Sequence, residues 1–238
     1  MPIYKNKEDK NKERLFTLFQ EKKISEAELQ TLLDSIDTKS SFFYRVYLFL
    51  INPFQKIAGF QAFFLGILFT IVMAFCANKA DVHYPDIISL TSSIELNKKL
   101  NFIKILCEQL IQCTTLALFF YIFSLIYQNG KVRLIDFLGT VYFSRFPYFI
   151  MTLYILILRH LFPNILTGSG DHPWRYAMYI FSDLGLAWQI ITYFFAFKES
   201  SGLKDTRLWA GFILCIILAS FTSGIIIQNI YELHTVKL

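Results

Sequence analysis

The chain has 238 residues, 55% of them hydrophobic and 18% aromatic, with a mean hydropathy of +0.45; a water-soluble domain of this length is less apolar, and a polytopic membrane protein is implied. A net charge of +5 from 23 basic and 18 acidic residues is too small and too evenly mixed to suggest a nucleic-acid partner. The four cysteines, Cys76, Cys107, Cys113 and Cys215, lie in apolar segments without C-x-x-C spacing, so they read as small buried hydrophobes and not as a disulfide framework or a thiolate metal site.

The N-terminal MPIYKNKEDKNKER is hydrophilic and lacks an apolar stretch with a small-residue cleavage site, so no cleaved signal peptide is expected and the first span does the targeting. Up to Ile57 the chain carries ten basic and eight acidic residues, the balance of a solvated region. Within it, Leu15, Phe16, Leu18 and Phe19 form one apolar face and Ile24, Leu29, Leu32, Leu33 and Ile36 another. Ser25-Glu26-Ala27-Glu28, between them, has the spacing of a capping box. Residues 1–40 therefore read as a cytoplasmic helical hairpin. Its residues Leu18, Phe19, Leu29 and Leu32 form either a docking face for a partner protein or the membrane surface, or the face on which the tail folds against its own protein. Residues 41–57 are rich in aromatics but contain Arg45, Asn52, Pro53 and Lys56, which reads as an interfacial helix on the inner leaflet. A re-entrant segment is the alternative.

Residues 58–230 hold five apolar stretches of spanning length, at about 59–77, 105–126, 135–160, 176–197 and 208–230, followed by a short tail, 231–238. The expected fold is all-α, a polytopic bundle of five transmembrane helices. In the first loop His83 stands between Asp81 and Asp86, residue types that ligate metals, but Asp-x-His spacing alone is not a site and no metal is expected. Glu108 and Gln109 fall in the first turn of the second span, about 6 Å beyond Lys104, shallow enough to snorkel to water. Arg45, Lys56, Lys131, Arg133, Lys198, Lys204 and Arg207 collect on one side. That charge bias places the N-terminus in the cytoplasm and the C-terminus outside.

The third stretch, Lys131 to His160, is interrupted midway by Arg145 and Pro147. Pro147 breaks or kinks the helix, with Ser144 or Thr140 among the groups able to satisfy the freed backbone. Arg145, nine residues beyond Asp136, lies roughly 14 Å from the inner end of its span. Asp183, eight residues beyond Arg175, lies roughly 18 Å from that same face of a 30 Å core. An unpaired charge at mid-span costs about 2.5–3.5 kcal/mol, so an Arg145–Asp183 pair is expected, either locking the bundle or serving as the polar site of a small transporter or permease subunit. The chain has no Gly-x-Ser-x-Gly, His-Glu-x-x-His or glycine-rich phosphate loop. No catalysis, catalytic residue or cofactor is therefore expected.

Three elements in order carry a family resemblance: Asn52-Pro53-Phe54 ahead of the first span, Asp136-Phe137-Leu138-Gly139-Thr140 through Arg145-Phe146-Pro147 in the third, and Ser201-Gly202-Leu203-Lys204 between the fourth and fifth. With the five-span layout, they resemble the bacterial branch of the Yip-domain family, five-span proteins named for interaction with Ypt/Rab GTPases. The resemblance implies the five-span fold and a bacterial cytoplasmic membrane as its setting; with no catalytic motif in the chain, the expected function is a non-catalytic scaffold or adaptor working through lipid or protein contacts. In eukaryotic members it implies a role with small GTPases at transport vesicles. This chain lacks their Asp-Leu-x-Gly-Pro and Gly-Tyr motifs, which argues against small-GTPase binding.

Overall fold

A computed structural model describes residues 14–21, 23–40, 46, 49–84, 95–96, 100–128, 132–162 and 173–235, in two units, Met1–Leu50 and Ile51–Leu238. In the first unit, α1 (14–20) and α2 (Glu26–Ser40) are joined by a short turn. The capping box forms as the sequence spacing requires. The Ser25 amide donates to Glu28 Oε2 at 2.8 Å, and the Glu28 amide donates to Ser25 Oγ at 3.3 Å. These two bonds satisfy amides that a helix start otherwise leaves open. The Ser25 amide, with the Ser25 hydroxyl that also donates to Glu28 Oε2 at 2.9 Å, holds the Glu28 carboxyl below its ordinary range. Of the expected docking face, Leu29 is buried, Leu18 is half-buried, and Phe19 and Leu32 are exposed.

The second unit is a helical bundle. Its helices are α3 (Gly59–Ala80), α4 (Phe102–Gln128), α5 (Leu134–Phe143), α6 (Phe146–Leu161), α7 (Pro173–Ser201) and α8 (Asp205–Thr235). With α5 and α6 counted as one broken span, five segments are long and apolar enough to cross a membrane. Each runs a few residues past the apolar stretch at one end or both, because polar flanks continue the helix beyond the hydrocarbon. Large apolar side chains on the outer faces stay exposed, among them Phe64, Leu68, Ile122, Ile213, Ile217 and Phe221. A helix apolar on its outer as well as its inner face is solvated by lipid. The protein is therefore an integral, multi-pass membrane protein of all-α class.

The broken span is the centre of the bundle: 67% of its most apolar window is buried, against 33–39% for the other four. Helix α3 packs along both of its halves, α4 against α5 and α8, and α7 against both halves again. One core joins Phe137 and Val141 of α5 to Leu116 and Phe120 of α4 and to Phe212 and Ile216 of α8. Another joins Met151 and Ile155 of α6 to Met73 and Ala77 of α3. After α3, β1 (Val82–His83) pairs antiparallel with β2 (Glu95–Leu96), and this ribbon carries Val82, His83 and Tyr84 into the protein.

The segment ahead of α3, expected at the bilayer surface, ends differently. Pro53–Gln55 form a 3₁₀ turn preceded by Asn52, and Asn52, Pro53 and Phe54 are buried; Asn52 Nδ2 donates to Glu199 Oε1 at 2.8 Å and the Phe54 ring meets the edge of Phe143 at 6.1 Å. Asn52-Pro53-Phe54 thus plugs the bundle between α5 and α7. Residues 41–45, 47 and 48 lie outside the described residues, as do residues 236–238 of the tail.

Candidate functional site: the break in the third span

The break follows from two residues. Pro147 has no amide proton and occupies the second position of α6, where a helix start tolerates it. Ser144 and Arg145 form the turn between the halves, with φ/ψ of −65°/−6° and −73°/−4°. Backbone groups freed at such depth must be satisfied inside the protein. The compensating groups come from α7: Gln189 Nε2 donates to the Ser144 carbonyl at 2.7 Å and Thr192 Oγ1 donates to it at 3.2 Å. Of the expected compensators, Ser144 serves the carbonyl that the Arg145 amide gives up for Tyr142, and Thr140 bonds back within α5. Ser144 Oγ donates to the Val141 carbonyl at 2.7 Å, and Thr140 Oγ1 to the Asp136 carbonyl at 2.8 Å.

Arg145 is fully buried. Its Nη2 donates to Gln112 Oε1 at 2.8 Å and its Nε to Cys113 Sγ at 3.3 Å, both on α4. The guanidinium also faces the rings of Tyr148 and Tyr193, at 5.4 and 5.7 Å from their centroids. Two aromatic faces and an amide oxygen replace the expected carboxylate.

The expected Arg145–Asp183 pair does not form. Asp183 is exposed on α7, for two physical reasons. The Gln189–Ser144 bond puts residue 189 level with the break, so Asp183 lies six residues, about 9 Å, farther along the helix. It also points the wrong way: the buried stripe of α7 runs Ser182, Gly185, Gln189, Thr192, Tyr193 and Ala196, at the three- and four-residue spacing of one helix face, and Asp183 falls off it.

The polar centre continues toward the β ribbon. The Tyr84 carbonyl accepts from Gln109 Nε2 at 3.3 Å and from Gln112 Nε2 at 3.4 Å. The Tyr84 hydroxyl and Thr152 Oγ1 are 2.6 Å apart, and the Tyr84 ring stacks on Tyr148 at 4.7 Å. Beside them His83 Nε2 and Glu108 Oε2 are 2.6 Å apart and both buried. Glu108 therefore does not snorkel, and His83 faces its carboxylate on α4. Asp81, in turn, pairs with Arg159 at the end of α6. Asp86 lies outside the described residues.

Gln112, Tyr84 and Tyr193 were not singled out from the sequence, and Gln189 was read only as one of three polar residues, with Ser182 and Asp183, that interrupt the fourth span. The signal was present as polar residues at helical spacing within apolar helices, Glu108 with Gln112 and Ser182 with Gln189. The His83–Glu108 contact gives a direct expectation. A hydrogen bond to a charged partner contributes about 1.5–3 kcal/mol, so Glu108→Leu should lower stability by about that much. Glu108→Gln, which keeps an acceptor for the imidazole, should lower it by less. Thermal unfolding in detergent reads both, and equal losses would mean that charge contributes nothing there.

The fold and this centre define a class: a multi-pass, all-α membrane protein whose middle span is broken around a buried arginine. Comparison with protein-family models, with curated proteins and with solved structures finds no match.

Proposed function

We propose that the chain is a non-catalytic scaffold or adaptor of the Yip-like type, set in a bacterial cytoplasmic membrane and acting through protein or lipid contacts. The observation that carries this reading is the use of the polar centre for packing. Gln112 and Cys113 of α4 and Gln189 and Thr192 of α7 are bonded to the broken span itself. Two pockets lie away from it, one between the start of α4 and the end of α8, the other at the α7–α8 turn. The exposed Phe16, Phe19 and Leu32 of the N-terminal unit offer apolar surface for such a contact, and the basic residues flanking the spans favour a cytoplasmic N-terminus and an outer C-terminus.

A second reading, a small transporter or permease subunit, is favoured by one observation: the charge of Arg145 meets no carboxylate among the described residues, and intramembrane charge marks solute pathways. One experiment separates the two. Photo-crosslinking groups at positions 19 and 32 in membranes should capture a second protein, and Leu29→Glu should abolish capture without altering span insertion. An absence of crosslinks, together with solute flux in liposomes that Arg145→Met stops, would reverse the assignment.

A further inference from the structure

Arg145 is the N-cap residue of α6, a helix of 16 residues that opens inside the bundle. A helix start carries partial positive charge from unpaired amides, and here a full charge is added to it. The guanidinium uses Nε and Nη2 on Cys113 and Gln112, but its Nη1, though fully buried, bonds to no protein group. The hydroxyl of Tyr193, whose ring lies 5.7 Å from the guanidinium carbon, also bonds to no protein group. One buried guanidinium nitrogen and one buried hydroxyl without protein partners thus lie near a formal positive charge and a helix start, and among the described residues no carboxylate bonds to them. Among the described residues of the unit, Glu108 has a hydrogen-bonding partner in His83 and Asp81 an ion pair with Arg159.

We propose that the break in the third span binds one small monovalent anion of the size of chloride, held by Nη1 of Arg145, the Tyr193 hydroxyl and the positive end of α6. Single charge follows from neutrality, since one anion cancels one guanidinium whereas a divalent anion would leave the centre negative. Small size follows from enclosure, because Arg145 and Tyr193 are both fully buried. The Oε1 atoms of Gln109 and Gln189, also without a protein partner, are acceptors and contribute nothing to holding an anion. Broken helices in other membrane bundles use their half-helix starts toward anions in this way. The site does not depend on the scaffold reading: an anion held there fixes the break whether or not any solute crosses.

The test is thermal unfolding of the full chain in nanodiscs, with chloride titrated against gluconate at constant ionic strength and pH. A ligand bound to the folded state alone raises Tm progressively with its concentration, so chloride and bromide should each raise it while gluconate does not. Tyr193→Phe keeps the ring and removes the hydroxyl. It should fold and raise the chloride needed for half of the effect by about tenfold, the value of one hydrogen bond to a charged group. Arg145→Gln should abolish the response, and if that variant does not fold, Tyr193→Phe decides. A wild-type Tm indifferent to chloride overturns the proposal, as does a chloride response that Tyr193→Phe leaves unchanged. Chloride flux in liposomes is read separately: flux speaks against the scaffold reading and leaves the binding site standing.

Discussion

Gly66→Leu is expected to yield no folded protein, and Gly66→Ala to lose about 1–3 kcal/mol, the usual cost of forcing extra atoms into a packed interior. A Cβ at Gly66 would stand 2.5 Å from the Phe143 amide nitrogen and 2.6 Å from the Tyr142 carbonyl carbon. Both are backbone atoms of the central span and cannot rotate aside. Gly139 meets α3 from the other side, where its Cβ would stand 2.5 Å from the Gly59 carbonyl oxygen. Ala62 and Gly66, four residues apart, present small side chains on the face of α3 that packs against α5. In lipid, where burial of apolar surface gives little drive, such close backbone approach is how helices gain contact. Gly224, by contrast, has nothing within 4 Å of the equivalent position. Gly224→Ala should therefore be neutral or gain up to about 1 kcal/mol from helix propensity. Yield of monodisperse protein and its unfolding temperature read all three variants, and a Gly66→Leu protein as stable as the wild type would mean that α3 and α5 do not cross at Gly66.

How much of this was legible in the sequence depends on which physical constraint wrote it. The five spans were readable because hydrocarbon thickness fixes the length of an apolar run. The break was readable because Arg145 and Pro147 each disfavour an unbroken span. The partners of Arg145 were not, since counting residues from a loop gives a depth whose origin shifts with every extra turn of helix. Helix α7 begins at Pro173 and its Gln189, not Asp183, is bonded at the level of the break, an offset of six residues that a count from the loop does not contain. Direction around the axis was recoverable from periodicity: Ser182, Gln189 and Thr192 share a face that excludes Asp183. Glu108 was misread for a different reason. Depth alone made it shallow enough to reach water, but the β ribbon folds His83 over it, and a contact made by a loop leaves no periodic trace in the helix it covers.

Replacing Arg145 by alanine is expected to destabilise the bundle by about 3 kcal/mol, while Asp183→Asn changes stability by no more than about 0.5 kcal/mol, the range of exposed substitutions. For Arg145 opposing effects must be weighed. Removing a charge from mid-membrane relieves a cost of about 2.5–3.5 kcal/mol. Against this stand a charge-assisted bond to Gln112, about 1.5–3 kcal/mol, and two desolvated aromatic faces, about 2 kcal/mol for a desolvated contact. Those terms already offset the desolvation. The cavity left by a large, fully buried side chain, and the stranded acceptor on Gln112, then decide the sign. A double-mutant cycle isolates the contact: Arg145→Ala with Gln112→Ala should show a coupling of about 1–2 kcal/mol, within the range for bonded neighbours. The corresponding cycle with Asp183→Ala should couple by less than about 0.5 kcal/mol, as for distant sites. The exchange Arg145→Asp with Asp183→Arg should rescue nothing, because it puts an anion beside the Gln112 carbonyl oxygen and a cation on the outer face of α7. Recovery of stability in that exchanged protein would mean that Arg145 and Asp183 do meet, and that the α4 face bearing Gln112 and Cys113 is not where the arginine lies.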